Sequence, residues 1–298
     1  MVSDGLPAAE VNHLSCRFGS SEALDDVSLT VPAGGVFGLI GVNGAGKSTL
    51  LRHMIGEYRP RRGTVRVLGR DPIDDRVEVL SRVGYVGDRD DLPRWATAGE
   101  LMDFHGAVRR GRPASGTVGW DRDLAESTLA DFDLHRRMKV SAMSRGQRAR
   151  LAMLLAVSHR PELLILDEPD SGLDPIARDD LLAAVIRSAS DDGRTVLFSG
   201  HLLSELSRVC DRVAMLHGGR VVAETTTEEL DRRFREVVVK SDAGDPPKDR
   251  YPGAWGWRRD GDEWSAIVDV EAVSDETATT TIGLTRWFEA HARSTSDV

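Results

Sequence analysis

The stretch GVNGAGKST at residues 41–49 combines three glycines, a lysine and two hydroxyls in an order that can hold a polyphosphate. Gly41, Gly44 and Gly46 let the backbone curl until several N–H groups, those of Asn43 and Ala45 among them, face one point. Lys47 is then placed to reach the β- and γ-phosphates. Ser48 is placed to put its hydroxyl on Mg²⁺, and Thr49 helps to hold a phosphate. A bare glycine turn with an exposed lysine is the competing reading. The apolar run before the loop and the helical pattern after it weigh against that reading.

Two further stretches carry chemistry of the same kind. In LLILDEP, residues 163–169, an apolar run ends in two acids. Asp167 at a strand end can bind Mg²⁺ directly or through water, and Glu168 beside it can polarise an attacking water. Phosphoryl transfer asks mainly for this positioning and electrostatic stabilisation. In MSRGQ, residues 143–147, Ser144 and Gly146 open a helix and Gln147 completes its first turn. A helix start offers N–H groups and a positive dipole end to phosphate, although read alone it is a good N-cap. One nucleotide does not need two such clusters. The pair therefore points to ATP shared between two copies of the chain.

These residues need a scaffold that brings strand ends together. Over about the first 225 residues, short β-like runs alternate with helical patterns. Residues 27–31, 36–40, 65–68, 83–86, 163–166 and 195–198 read as strands. Residues 48–56, 97–108, 124–132, 144–158, 175–190 and 202–209 read as helices. The Gly/Pro/Ser stretch at 111–120 reads as a loop. This alternation predicts an α/β domain with a mainly parallel sheet, in which ligands sit beyond the carboxyl ends of the strands. Composition shifts after about residue 230. Trp255, Trp257, Trp264 and Trp287 cluster there, and a polar Gly/Pro segment spans 242–253. Residues 237–240 and 265–270 read as strands and 285–291 as a short helix, giving a small α+β appendage with a frayed end from 292.

The chain has 298 residues, 40% hydrophobic and 29% charged, with a net charge of −9. That composition suits an ordinary globular protein. An acidic balance lacks the basic footprint of a nucleic-acid binder, so no nucleic-acid partner is expected. No apolar run reaches the roughly 18–20 residues of a membrane helix, and no signal peptide is visible. Cys16 and Cys210 show no metal-ligand spacing and are expected to be reduced, buried thiols.

Taken in order, these motifs resemble the ATP-binding cassette of ABC transporters over about residues 10–230. The phrasing around GVFGLIGVNGAGKST and FSGHLLSEL is most similar to the export-type branch, whose membrane subunits are separate polypeptides. The resemblance implies a P-loop NTPase cassette with a mainly parallel central sheet, an antiparallel β part and a helical insertion at about 95–158. The accessory unit would then span 231–298. MSRGQ stands at the family's LSGGQ signature, and SGLD at 171–174 matches its D-loop, with Asp174 facing the shared nucleotide. His201 matches the switch histidine that contacts the γ-phosphate, and Phe18 matches the aromatic that stacks on adenine. By itself Phe18 would be read as core, and His201 as a capping or surface residue.

The resemblance also implies ATP and Mg²⁺ as cofactors and a second cassette, here a second copy, as partner. It implies an integral membrane permease that holds the chain at the cytoplasmic side of the membrane. Three positions depart from the pattern. Asp88 stands at the Q-loop glutamine, where it would face Mg²⁺ or point to solvent. Asp170 turns DEPT into DEPD, and Arg145 replaces the first signature glycine. After Asp88, the run Leu92, Pro93, Arg94 and Trp95 is a candidate contact with the permease, unless Trp95 is tucked into the helical part. A soluble ABC-type ATPase acting on ribosomes or DNA would carry paired cassettes or long coiled coils. A regulatory module without turnover would lack Glu168 or His201.

Overall fold

The computed structural model describes residues 5–88, 91–109, 119–169, 173–190, 193–200, 209–240, 245–272 and 279–294. His201, Asp170 and the helix expected at 202–209 fall outside the described residues, apart from the last position of that helix.

The central sheet explains the long apolar runs. Its strands are β3 (Gly35–Ile40), β5 (Val83–Val86), β6 (Leu163–Asp167), β7 (Thr195–Gly200), β8 (Arg212–His217) and β9 (Arg220–Thr226). They lie in the order β5-β6-β7-β3-β8-β9. All neighbours are parallel except the β8–β9 hairpin. Alternate side chains of one strand go to opposite faces. Leu164 and Leu166 join one core with Val196, Phe198, Val213 and Met215. Leu163 and Ile165 join the other with Phe37, Leu39 and Leu197. A strand buried on both faces must be apolar throughout, which is why β6 reads as an unbroken run.

One face is covered by helices α3 (Ala98–Arg109), α4 (Arg122–Asp131), α5 (Arg145–Val157) and α6 (Pro175–Ser190). The other is covered by α1 (Lys47–Met54) and a three-stranded antiparallel sheet. That sheet has the order β2-β1-β4, with β1 at Ala9–Phe18, β2 at Ser21–Val31 and β4 at Arg62–Val67. β1 is absent from the sequence reading, and β2 starts earlier than expected. Register shifts interrupt the β1–β2 ladder after Val11, and His13 and Asp26 both adopt positive φ. Bulges of this kind break the period-two alternation that a strand otherwise shows. The short α2 (Arg76–Arg82) and the β8–β9 hairpin, turned at Gly218 and Gly219, are likewise unanticipated.

After α7 (Thr227–Arg233), a four-stranded antiparallel sheet has the order β11-β12-β10-β13. Its strands are β10 (Phe234–Lys240), β11 (Trp255–Asp260), β12 (Glu263–Asp269) and β13 (Thr279–Thr281), with α8 at Leu284–Ser294. Helix α8 runs three residues beyond the expected 291, so residues 292–294 are helical where fraying was expected, and 295–298 lie outside the described residues. One face of this sheet packs Ile267 and Phe234 against Trp287 and Ala290 of α8, in one apolar cluster with Leu230 of α7. The other face packs Val237, Ala266 and Val268 with Tyr251 and Trp257. Of the two thiols, Cys210 is buried and its pKa pushed up by that burial. Cys16 is only half-buried, on bulged β1, so the expectation of two buried thiols holds for one of them.

Candidate functional site

The carboxyl ends of four adjacent strands, β5, β6, β7 and β3, converge on one place. β3 ends at Ile40 and the chain turns through 41–46 into α1. Gly44 and Gly46 have φ of 82° and 106°, a region that side chains disfavour. Helix α1 has no side-chain N-cap and no acidic residue in its first turn, so its leading N–H groups and positive dipole end face the loop. Lys47 is buried, at 3% exposure. Its Nζ donates to the Gly41 carbonyl at 2.7 Å and lies 3.0 Å from Glu168 Oε1.

Asp167 is fully buried at the end of β6. Burial raises its carboxyl pKa, and the charges of Asp88 and Glu168 add to the rise. The Ser199 hydrogen bond and the nearby Ser48 hydroxyl act the other way. Ser199 Oγ donates to Asp167 Oδ1 at 2.7 Å, whereas Asp167 Oδ2 has no hydrogen-bond partner. A buried carboxylate oxygen with an open lone pair, next to a serine hydroxyl, is a donor set that fits a hard divalent cation. Glu168 holds a left-handed backbone, φ 47°, fastened by its N–H to the Ser199 carbonyl and hydroxyl at 3.2 and 3.1 Å. A non-glycine residue held there carries strain that its surroundings must offset, a pattern common at functional sites.

Asp88 lies two residues beyond β5. Its Oδ1 accepts from Arg52 Nη2 of α1 at 3.2 Å. Phe18 is 48% exposed and meets Tyr58 edge-on with centroids 5.4 Å apart, so it is a surface aromatic and not core. Trp95 is 78% exposed, which removes the reading in which it is tucked into the helical part. Ser144, Gly146 and Gln147 stand at the start of α5. Ser144 Oγ accepts from the Gln147 N–H at 3.2 Å, and Gln147 Oε1 accepts from the Ser144 N–H at 2.9 Å, a reciprocal cap. The Ser144 and Gln147 side chains bond within their own helical turn. Asp174 is exposed just before α6.

A cavity of about 340 Å³ opens between the central sheet and the helices, lined by Asp88, Leu92, Arg145 and Glu168 among others. Lys47, Ser48, Asp167 and Glu168 are thus brought together, with Asp88 one pairing away. Ser199 and Arg52 are absent from the sequence reading. Ser199 lies directly opposite Asp167 in the β6–β7 register. That adjacency is visible only once the strands are paired.

Residues 24–171 match the family model described as ABC transporter. The bacitracin transport ATP-binding protein BcrA of Enterococcus faecalis is 32% identical over 231 residues, covering 77% of this chain and 72% of that protein. The Nod factor export ATP-binding protein I of Sinorhizobium fredii is 35% identical over 244 residues, covering 80% and 69%. Among solved structures, one described as the ATP binding subunit of an ABC transporter is 30% identical with a TM-score of 0.67, covering 76% of this chain and 92% of its own. The chain belongs to the ATP-binding subunits of ABC transporters. As a member of that family it binds and hydrolyses ATP.

Proposed function

We propose that this chain powers export through a separate membrane permease, as one of two copies that close head to tail on two ATP molecules. The observation that carries the reading is the meeting of Lys47, Ser48, Asp167 and Glu168 at the ends of the central strands. The direction of transport is drawn from the similarity to the bacitracin and Nod factor proteins. The exposed Trp95 and its neighbours form the permease contact, and the permease holds the chain at the cytoplasmic side of the membrane. Among the described residues no helix is long and apolar enough to cross a membrane.

Lys47 and the N–H groups of 41–49 hold the β- and γ-phosphates, and Phe18 takes the adenine. Ser48 and Asp167 would hold Mg²⁺, which neutralises charge on the β- and γ-oxygens when bound, and Asp88 would face its water shell. The 3.0 Å Lys47–Glu168 pair keeps the base beside the phosphate-binding cation. When Lys47 turns to phosphate, Glu168 orients the water and takes its proton. Ser144, Gly146, Gln147 and Asp174 complete the site of the opposite copy, with His201 on the γ-phosphate. Residues 1–230 form the ATP-binding unit, with its helical part at about 95–158. Residues 231–298 form an accessory unit with its own sheet.

Glu168→Gln tests the shared site, because the amide accepts no proton from water. ATP should bind and the variant should dimerise with it on size exclusion while turnover nearly stops. Adding Ser144→Arg should remove the dimer and leave ATP binding by the single copy intact. A Glu168→Gln protein that stays monomeric with ATP, both alone and with its permease, refutes the head-to-tail site.

A further inference from the structure

Arg52 of α1 has no assigned role, yet it bonds residues on two other segments around the site. It lies four residues after Ser48, one turn on and on the same side of the helix. Its Nη2 donates to Asp88 Oδ1 at 3.2 Å, and its Nη1 donates to Tyr58 Oη at 3.3 Å. Tyr85, on β5, lies close enough to favour its charge. Glu57 Oε2 is 3.9 Å from its Nε. Tyr58 in turn meets Phe18 edge-on. The Arg52 side chain is mostly covered, at 21% exposure, and that of Asp88 is 35% exposed.

The charges explain why such a residue is needed. Asp88, Asp167 and Glu168 crowd one corner, and Asp88 and Glu168 both act on Asp167. Lys47 is paired with Glu168. Arg145 and Arg148 also line the cavity beside Asp88, but the cation bonded to the Asp88 carboxylate is Arg52. A neutral side chain at position 88 would need no such partner.

We propose that Arg52 is a positioning residue for ATP binding: it pairs with Asp88, cancels its charge beside the phosphate site, and fastens the segment after β5 to the P-loop helix. The inference rests on ATP occupying the loop at 41–49. Its distinguishing consequence is that Arg52 matters because position 88 is acidic.

The test compares wild type, Arg52→Ala, Arg52→Lys, Asp88→Gln and the double variant Arg52→Ala/Asp88→Gln. ATP affinity is measured by calorimetry in EDTA and at saturating Mg²⁺, with turnover at saturating Mg-ATP. Arg52→Ala should weaken Mg²⁺-free ATP binding about five-fold, the upper end for a partly exposed pair, and by less with Mg²⁺ present. Arg52→Lys, which keeps the charge, should lose less than Arg52→Ala. In the Asp88→Gln background the same Arg52→Ala change should alter affinity less than about two-fold. An equal loss in both backgrounds would mean Arg52 only props up Tyr58 and the turn after α1, and would overturn the inference. So would no loss in either. Lys47→Ala is the control. If it binds ATP as wild type does, the site itself is misassigned; a Lys47 effect without an Arg52 effect rejects the present inference alone.

Discussion

Replacing His159 with glutamine should make the fold less sensitive to acid. His159 is 1% exposed, between α5 and β6, and one ring nitrogen, Nε2, bonds the Val83 carbonyl at 3.2 Å while Nδ1 has no partner. Burial pushes its pKa down to about 3, and the charge of Arg109 pushes the same way. In the unfolded chain a histidine titrates near ~6.5. Between those two values the unfolded chain holds a proton that the folded chain refuses. Stability therefore rises with pH across this window, is fully present above ~6.5, and is lost as pH falls toward 3. From pH 6.5 to pH 5 the window is 1.5 units wide, so His159 withdraws about 2 kcal/mol of stability. Glutamine offers an amide donor to the Val83 carbonyl but does not titrate. The assay is urea unfolding of both proteins at pH 7 and pH 5. The variant starts lower at pH 7, because packing is disturbed, but its loss on going to pH 5 should be smaller than wild type's by about 2 kcal/mol. Equal losses in the two proteins would show that the folded state takes up the proton on His159, and the burial argument would fail. His105, whose pKa burial lowers to about 4, leaves a similar dependence in both proteins and cancels in the comparison.

Two other substitutions probe the loop and the outer surface. A methyl group at Gly46 would stand 2.4 Å from the Ala23 carbonyl in a backbone with φ 106°, so Gly46→Ala should distort the loop and weaken ATP binding more than ten-fold in a titration, about 1.4 kcal/mol or more. Trp95→Ala should change the urea midpoint little, within about 0.5 kcal/mol, because the side chain is 78% exposed; co-purification with the permease should fall. Retained permease binding would move the contact elsewhere.

The parts of the site that are legible in the chain are those whose neighbours in sequence do the work. The loop at 41–49 needs only its own glycines and the helix that follows. Asp167 and Glu168 announce themselves because β6 is apolar on both faces and then stops. Helix α5 shows its start through the Ser144–Gln147 cap. Bulged β1 and the β8–β9 hairpin stay hidden, because irregular register blurs alternation in one and a four-residue buried stretch says little in the other. Tertiary structure alone decides the rest. Ser199 meets Asp167 because two strands more than thirty residues apart pair in one register. Arg52 meets Asp88 because α1 packs beside the end of β5. Phe18 is left on the surface because β1 turns into β2 at that point and not further on. A hydrogen bond or an ion pair depends on ångström separations, and chain order carries those only when the partners lie within a turn of each other.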